Sequence, residues 1–178
     1  MLERQKLKVA HMEPTKPVEE DLFFHGTSSK LPDTLDEGHY STQNIYGQGF
    51  YTTSDSSVAQ SYTRKGRGGT PTVYEVRIPK DAKFYDLDQR PDASILEPLK
   101  QESVFDEALG EFEGGSISTL AQLMDSAREW SRSNGTPADE VQGAFESIAY
   151  RLQQEGYAGF THVGGQLTGG KPHTVRIL

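Results

Sequence analysis

The first half of the chain alternates short β-prone runs with breaks that are rich in glycine and serine. Leu22-Phe23-Phe24-His25 is apolar as far as the histidine and is followed by Gly26-Thr27-Ser28, which predicts a buried strand that carries the histidine at its carboxyl end. Residues 72–79 alternate apolar and polar positions with a period of two, which predicts a strand with one buried face. Two further strands are predicted, one within 47–53, where two glycines open it, and one at 83–88.

Helical patterns come next. Ser54 is a candidate N-cap for a helix over 57–64, in which Val58 and Tyr62 fall four residues apart on one face. Between about 93 and 155, apolar residues recur every three to four positions. This spacing predicts several helices, each with one buried face.

The last of these helices is predicted to begin at Thr136-Pro137 and to end at Glu155-Gly156, since proline suits a first helical turn and glycine a helix end. Strands at 159–163 and 173–178 then close the chain. A doubly wound parallel sheet would alternate strands and helices more regularly. The sequence therefore predicts an α+β fold in which 93–155 forms a helical insert.

Length and composition fit one domain. Residues 1–20 are polar and contain two prolines, so we interpret them as a flexible arm or as sequence added for expression, and 21–178 as the domain. The formal net charge of −8 argues against binding to a nucleic-acid backbone. The chain has no cysteine, which excludes disulfides and thiol nucleophiles.

No apolar run approaches the roughly 20 residues of a membrane span, and no signal-peptide pattern is evident. We expect a soluble protein without membrane contact, either cytoplasmic or delivered into a target cell. We also expect it to be a monomer.

Three aromatic side chains are candidates for chemistry. His25 at a strand end, followed by glycine, places an imidazole beside a backbone that a ligand can approach closely. Tyr51 and Tyr62 lie eleven residues apart on adjoining elements, where two rings can face each other across a slot. The alternatives are a structural, hydrogen-bonded histidine and two tyrosines in ordinary core packing.

Three motifs carry a resemblance to a known family. Phe24-His25-Gly26-Thr27, then Tyr46-Gly47-Gln48-Gly49-Phe50-Tyr51-Thr52-Thr53, then Ala59-Gln60-Ser61-Tyr62 resemble the His-Tyr branch of the ADP-ribosyltransferase superfamily, which contains diphtheria-type toxins and the poly-ADP-ribose polymerases. The resemblance covers roughly residues 22 to 63. It implies a split, mixed or antiparallel β-sandwich flanked by helices, with NAD⁺ as co-substrate.

The resemblance also implies roles for individual residues. His25 would bond the ribose on the adenosine side, and the Gly26 backbone would pair with the nicotinamide amide. Tyr51 and Tyr62 would sandwich the nicotinamide ring. Thr27 and Gly49 belong to the same motifs, and they are part of the predicted cofactor-binding set.

The third catalytic position departs from the family pattern. Efficient members place a glutamate near the start of a late strand, and residues 172–177 of this chain contain no acid. His173 aligns with that position, and Gln166 in the preceding loop is the other candidate. The alternatives are a structural histidine at a strand end and a solvated glutamine.

The sequence therefore predicts a mono-ADP-ribosyltransferase that acts on a protein rather than on a nucleic acid, as bacterial or phage effectors and toxins do. An NAD⁺ glycohydrolase and a catalytically silent domain that binds NAD⁺, ADP-ribose or a partner are the alternatives. The remaining histidines, His11, His39 and His162, show no metal-ligand spacing, so no metal is expected.

Overall fold

The structure, a computed structural model, describes residues 19–29, 31, 45–64, 69–165 and 170–178. Its strands are β1 (Glu20–Thr27), β2 (Tyr51–Thr53), β3 (Thr72–Pro79), β4 (Phe84–Asp86), β5 (Gly159–Gly164) and β6 (His173–Ile177). Its α-helices are α1 (Ser56–Tyr62), α2 (Ala93–Leu99), α3 (Asp106–Glu113), α4 (Leu120–Asn134) and α5 (Ala138–Gln154), and a short 3₁₀ turn, Ser103–Phe105, precedes α3.

The six strands form one mixed sheet in the order β3-β1-β2-β6-β5-β4. Neighbouring strands are antiparallel, except that β4 and β5 run parallel. The predicted α+β class is confirmed, and α2 to α5 lie between β4 and β5 in the chain, where the helical insert was expected. The pairing of β4 with β5 therefore brackets the whole block of helices.

The helices described in the structure pack on one face of the sheet, which we call the helix face. It carries Tyr51, Phe160 and Ile177, which pack together with the buried side chains of α2 to α5. Antiparallel partners share a face, and successive residues of a strand alternate between faces. The opposite face therefore carries His25 and Arg176, which are each one residue out of phase with this set.

The longest helices of the insert are α4 and α5, and α4 shows why these residues form a helix. Thr119 and Gln122 form a capping box at its start, and Gly135 ends it in the left-handed conformation at φ 73°. Leu123 and Met124 between these ends are completely buried. Among the described residues, no helix is long and apolar enough to cross a membrane.

The predicted end of β1 is wrong. The strand does not stop at His25, because β3 continues to pair with it beyond that residue. Gly26 pairs with Val73, and Thr27 pairs with Thr72. The glycine and threonine therefore belong to the strand instead of ending it.

The predicted cap of α1 is wrong as well. Asp55, not Ser54, is the N-cap: its carboxylate Oδ1 accepts a hydrogen bond from the Ser57 backbone N–H at 2.9 Å. The Ser54 hydroxyl instead accepts a hydrogen bond from the Thr174 backbone N–H at 3.0 Å. The side chain of Ser54 is therefore bonded to β6 instead of capping the helix. The helix begins one residue earlier and ends two residues earlier than predicted.

Candidate functional site

The His25 imidazole is fixed by a backbone carbonyl and an aromatic ring. Its Nδ1 lies 2.8 Å from the carbonyl oxygen of Tyr51, and its ring stacks on Phe50 with centroids 4.3 Å apart. A carbonyl oxygen can only accept, so Nδ1 carries the proton and donates it. Burial lowers the pKa of His25, and the hydrogen bond to Tyr51 only partly opposes this shift. The neutral ring consequently keeps Nε2 as a hydrogen-bond acceptor.

Tyr51 closes a tight loop just before β2. Its hydroxyl accepts a hydrogen bond from the Tyr46 backbone N–H at 3.1 Å and donates one to the Gly47 carbonyl oxygen at 3.0 Å. Burial raises the pKa of Tyr51 well above its usual value of 10.0, so the side chain stays a neutral phenol. The position of this ring therefore depends on the loop that precedes it.

Two glycines of the motif have a structural reason to be glycine. Gly47 adopts φ 92°, which side chains disfavour, and it packs against Phe145 of α5. A Cβ on Gly49 would lie 2.6 Å from the Ile177 Cγ2 atom. Substitution at either position would disturb the loop that holds Tyr51.

Gly26 lies on the helix face beneath α1. A Cβ there would lie 1.7 Å from the carbonyl oxygen of Ala59, so the helix can approach β1 only because this residue has no side chain. Thr27 follows it, and its hydroxyl accepts a hydrogen bond from the Ser29 backbone N–H at 3.0 Å. Gly26 thus lets the strand that carries His25 contact the helix that carries Tyr62.

Tyr62 ends α1 and is 50% exposed. The helix is anchored by Ala59 and Thr63, which are 1% and 2% exposed. Because these two residues provide the packing, the Tyr62 ring is left at the surface, where a ligand can reach it. Tyr51 and α1 occupy the same face of the sheet.

The structure brings His25 and Tyr51 together through the backbone rather than through their side chains. Phe24 pairs with Thr53, and Thr53 and Tyr51 are two residues apart on one strand, so Tyr51 shares the helix face with Phe24. His25 projects from the opposite face. Its contact with Tyr51 is made to the carbonyl group of that residue.

His173 lies at the other end of the neighbouring strand. It is on the helix face, like Tyr51, but Tyr51 pairs with Ile177, four residues further along β6, which corresponds to about 13 Å. The imidazole Nδ1 of His173 lies 2.9 Å from the Lys171 carbonyl oxygen, so it donates there for the same reason as in His25. Gln166 lies outside the described residues.

Two residues near this site were not singled out for it by the sequence. Tyr46 is 7% exposed, and its ring meets that of His162 edge to face, with centroids 4.8 Å apart. Burial, together with the nearby carboxylates of Asp125 and Asp88, raises the pKa of Tyr46 to about 12. The alternation along β5 is the sequence signal that could have identified His162. It assigns His162 to the same face of the sheet as Phe160.

The described residues contain no group of three histidine, cysteine or acidic side chains that could hold a metal ion. A cavity of about 570 Å³ lies between α2 and α5, and its lining includes Leu99 and Ile148 but none of the candidate residues. This cavity is therefore not part of the candidate site.

Comparison with known proteins adds no relative to this picture. No protein-family model matches the chain, and neither a curated protein nor a solved structure matches it at a significant level.

Proposed function

We propose that the chain is a mono-ADP-ribosyltransferase that moves ADP-ribose from NAD⁺ to a protein and releases nicotinamide. The observation that carries the proposal is the state of His25: a neutral imidazole whose Nδ1–H is bound to the Tyr51 carbonyl oxygen. Its Nε2 is then an acceptor, which is what a ribose hydroxyl requires. The motif resemblance assigns the same task to this residue.

The two faces of the sheet beside the narrow β1-β2 join support a binding site for NAD⁺, with His25 on one face and Tyr51 on the other. α1 covers Gly26 and β3 pairs with it, so we propose that a flat amide reaches its backbone from the side of β1 that faces β2, where Phe24 and Thr53 are the one residue pair. Tyr51 is locked by its loop, whereas Tyr62 is half exposed on α1. A fixed ring and a reachable ring on adjoining elements suit a sandwich around nicotinamide. Thr27 bonds the Ser29 backbone at the end of β1, and Gly49 leaves room for Ile177 beside Tyr51.

The reaction would break the bond between the ribose carbon and the nicotinamide nitrogen, with the electron pair leaving on neutral nicotinamide. The sugar carbon, with oxocarbenium character, is then attacked by an acceptor nucleophile, whose proton passes to solvent. Clamping and orientation would supply much of the acceleration. The imidazole of His173 offers no negative charge to the developing cation, so we expect slow turnover.

The sheet also supports the finer fold proposal, a split ADP-ribosyltransferase-type sandwich. β1 and β3 share eight residue pairs, whereas β1 and β2 share one, Phe24 with Thr53. The sheet is thus narrowly joined between its β3-β1 and β2-β6-β5-β4 parts. We propose that these parts correspond to the two sheets of the family fold.

The net charge of −8 favours a protein acceptor over a nucleic acid, because an acidic surface repels phosphates. We further propose a bacterial or phage effector or toxin that acts in the cytoplasm or inside a target cell. A silent domain that binds NAD⁺ or ADP-ribose is a second candidate, and His173 in place of a carboxylate is the observation that favours it.

The test is to incubate the purified chain with NAD⁺ labelled on the adenosine side, with and without a cell lysate, and to follow free nicotinamide and labelled protein. His25→Ala should lower nicotinamide release by about a hundredfold, because the ribose loses its positioning partner. Tyr62→Ala should weaken NAD⁺ binding. Tyr150→Ala is the matched control, since Tyr150 is a 64% exposed tyrosine on α5.

The outcomes separate the candidates. Labelled protein supports a transferase, and nicotinamide release without labelled protein indicates a glycohydrolase. Binding of NAD⁺ without release indicates the silent domain. Full activity in His25→Ala would overturn the site. His173→Ala should slow release, whereas His173→Glu should preserve or raise it by restoring a negative charge.

A further inference from the structure

His162 and His173 are neighbours on the helix face. In the antiparallel pair of β5 and β6, His162 lies opposite Val175, and His173 lies opposite Gly164. The two histidines are therefore diagonal neighbours, a separation that long side chains can bridge. The sequence analysis assigned only His173 to the site. The register between β5 and β6, which brings His162 near His173, cannot be read from either segment alone.

Gly164 makes room for the second imidazole. A Cβ at this position would lie 2.5 Å from Nε2 of His173 and 2.9 Å from its Cε1 atom. The His173 ring thus leans across β5 into the space that a side chain would fill. That space is next to His162, which is two residues along the same strand and on the same face.

Each of these imidazoles is oriented by a backbone group. His173 donates from Nδ1 to the Lys171 carbonyl oxygen at 2.9 Å. The hydrogen bond between His162 and the Val163 backbone raises the pKa of His162. The imidazole of His162 is therefore the donor in this hydrogen bond. When a ring is neutral, its second nitrogen remains an acceptor. The pair thus offers two acceptor nitrogens side by side.

His162 is held in its neutral form. Burial is the largest cause that lowers its pKa below 6.5, and the neighbouring His173 adds to the shift. Asp88 and Asp86 act in the opposite direction. On its other side His162 meets the edge-to-face ring of Tyr46, whose own pKa of about 12 keeps it uncharged.

We propose that His162 and His173 together bind the vicinal diol of the ribose on the nicotinamide side of NAD⁺. Their two acceptor nitrogens take the place of the two oxygens of a carboxylate. This inference rests on the proposed function and adds His162 to its site as a substrate-binding residue. It also explains why a chain without an acid on β6 retains two half-buried histidines at this point of the sheet.

The test compares the affinities of ADP-ribose and ADP, since only ADP-ribose contains the second ribose. Wild type should bind ADP-ribose about tenfold more tightly than ADP, which corresponds to about one net hydrogen bond. In His162→Phe and in His173→Phe this ratio should fall to about one, while the affinity for ADP stays within about twofold. Val163→Phe, on the opposite face of the same strand, is the matched control and should keep the wild-type ratio.

Two further readouts guard against a merely structural effect. His162→Gln supplies an amide oxygen as acceptor and should retain most of the ratio. In nuclear magnetic resonance titrations, His173→Phe should move the midpoint of His162 upward, toward 6.5, because the neighbouring His173 is one of the groups that lower the pKa of His162.

This inference would be overturned if His162→Phe kept the wild-type ratio of the affinities for ADP-ribose and ADP. If that variant still released nicotinamide from NAD⁺, the proposed function would stand. If wild type binds neither ADP nor ADP-ribose and releases no nicotinamide, the proposed function fails and the inference fails with it.

Discussion

Gly26 is required by the packing of α1 and also suits the proposed reaction. In the resemblance it presents its backbone to nicotinamide. In the structure its missing side chain lets α1 approach β1, because a Cβ would lie 1.7 Å from the Ala59 carbonyl oxygen. This neighbour is backbone and cannot rotate away. The sequence could indicate that glycine mattered here, but it could not indicate that a helix lies against it.

Replacing Gly26 tests this contact. Gly26→Ala should destabilise the protein by about 1–3 kcal/mol, because the helix must shift to admit a methyl group. Gly143→Ala is the matched control: Gly143 lies within α5 with nothing near its Cβ position, so alanine should stabilise by about 1 kcal/mol. Urea unfolding of both variants measures the two effects. Equal stability of Gly26→Ala and wild type would show that α1 does not pack as described.

At the scale of elements, α4 forms one side of the helical insert and lies close to Tyr46 through Asp125. Its start is fixed by reciprocal hydrogen bonds: the Thr119 hydroxyl accepts from the Gln122 N–H, and the Gln122 side-chain oxygen accepts from the Thr119 N–H, each at 3.2 Å. The apolar spacing of the insert predicted the helices, and the caps define where this one begins.

We expect Thr119→Ala to lower the free energy of unfolding by about 1 kcal/mol, since the first turn loses its side-chain acceptor. Thr119→Ser keeps the hydroxyl and should retain most of this stability. Thermal or urea unfolding distinguishes the two variants. If Thr119→Ala and Thr119→Ser have the same unfolding midpoint, the capping box does not contribute to stability.

At the scale of the whole molecule, two half-buried imidazoles couple stability to pH. Burial lowers the pKa of both His25 and His162 from 6.5. The unfolded chain therefore binds these protons first as the pH falls, so the free energy of unfolding decreases from about pH 6.5 down to the lowered values. Asp55 also has a lowered pKa, but its effect begins below 3.8, outside this window.

The prediction is that the urea midpoint falls between about pH 7.5 and about pH 5.5, and that it falls less in a protein carrying both His25→Gln and His162→Gln. The comparison concerns the change with pH within each protein, so a constant loss of stability in the variant does not affect it. An identical pH dependence in the two proteins would show that these histidines are not buried in their neutral form.

The sequence by itself determined where most elements lie. The alternation of 72–79 gave β3, and the apolar spacing between 93 and 155 gave the helices of the insert, because these periods reflect one buried face within a single segment. The motifs also drew attention to His25 and Tyr51, which the structure joins by one hydrogen bond. The positions of these elements and motifs depend on residues close together in the chain, so a local sequence pattern is enough to predict them.

Only the tertiary structure decided what depends on partners distant in the chain. Ser54 is drawn from its expected cap to Thr174, 120 residues away, and β3 extends β1 beyond its expected end. The register of β5 against β6 placed His162 beside His173 on the helix face. A shift of one residue would have turned either side chain to the other face, and the register is fixed by packing over the whole sheet.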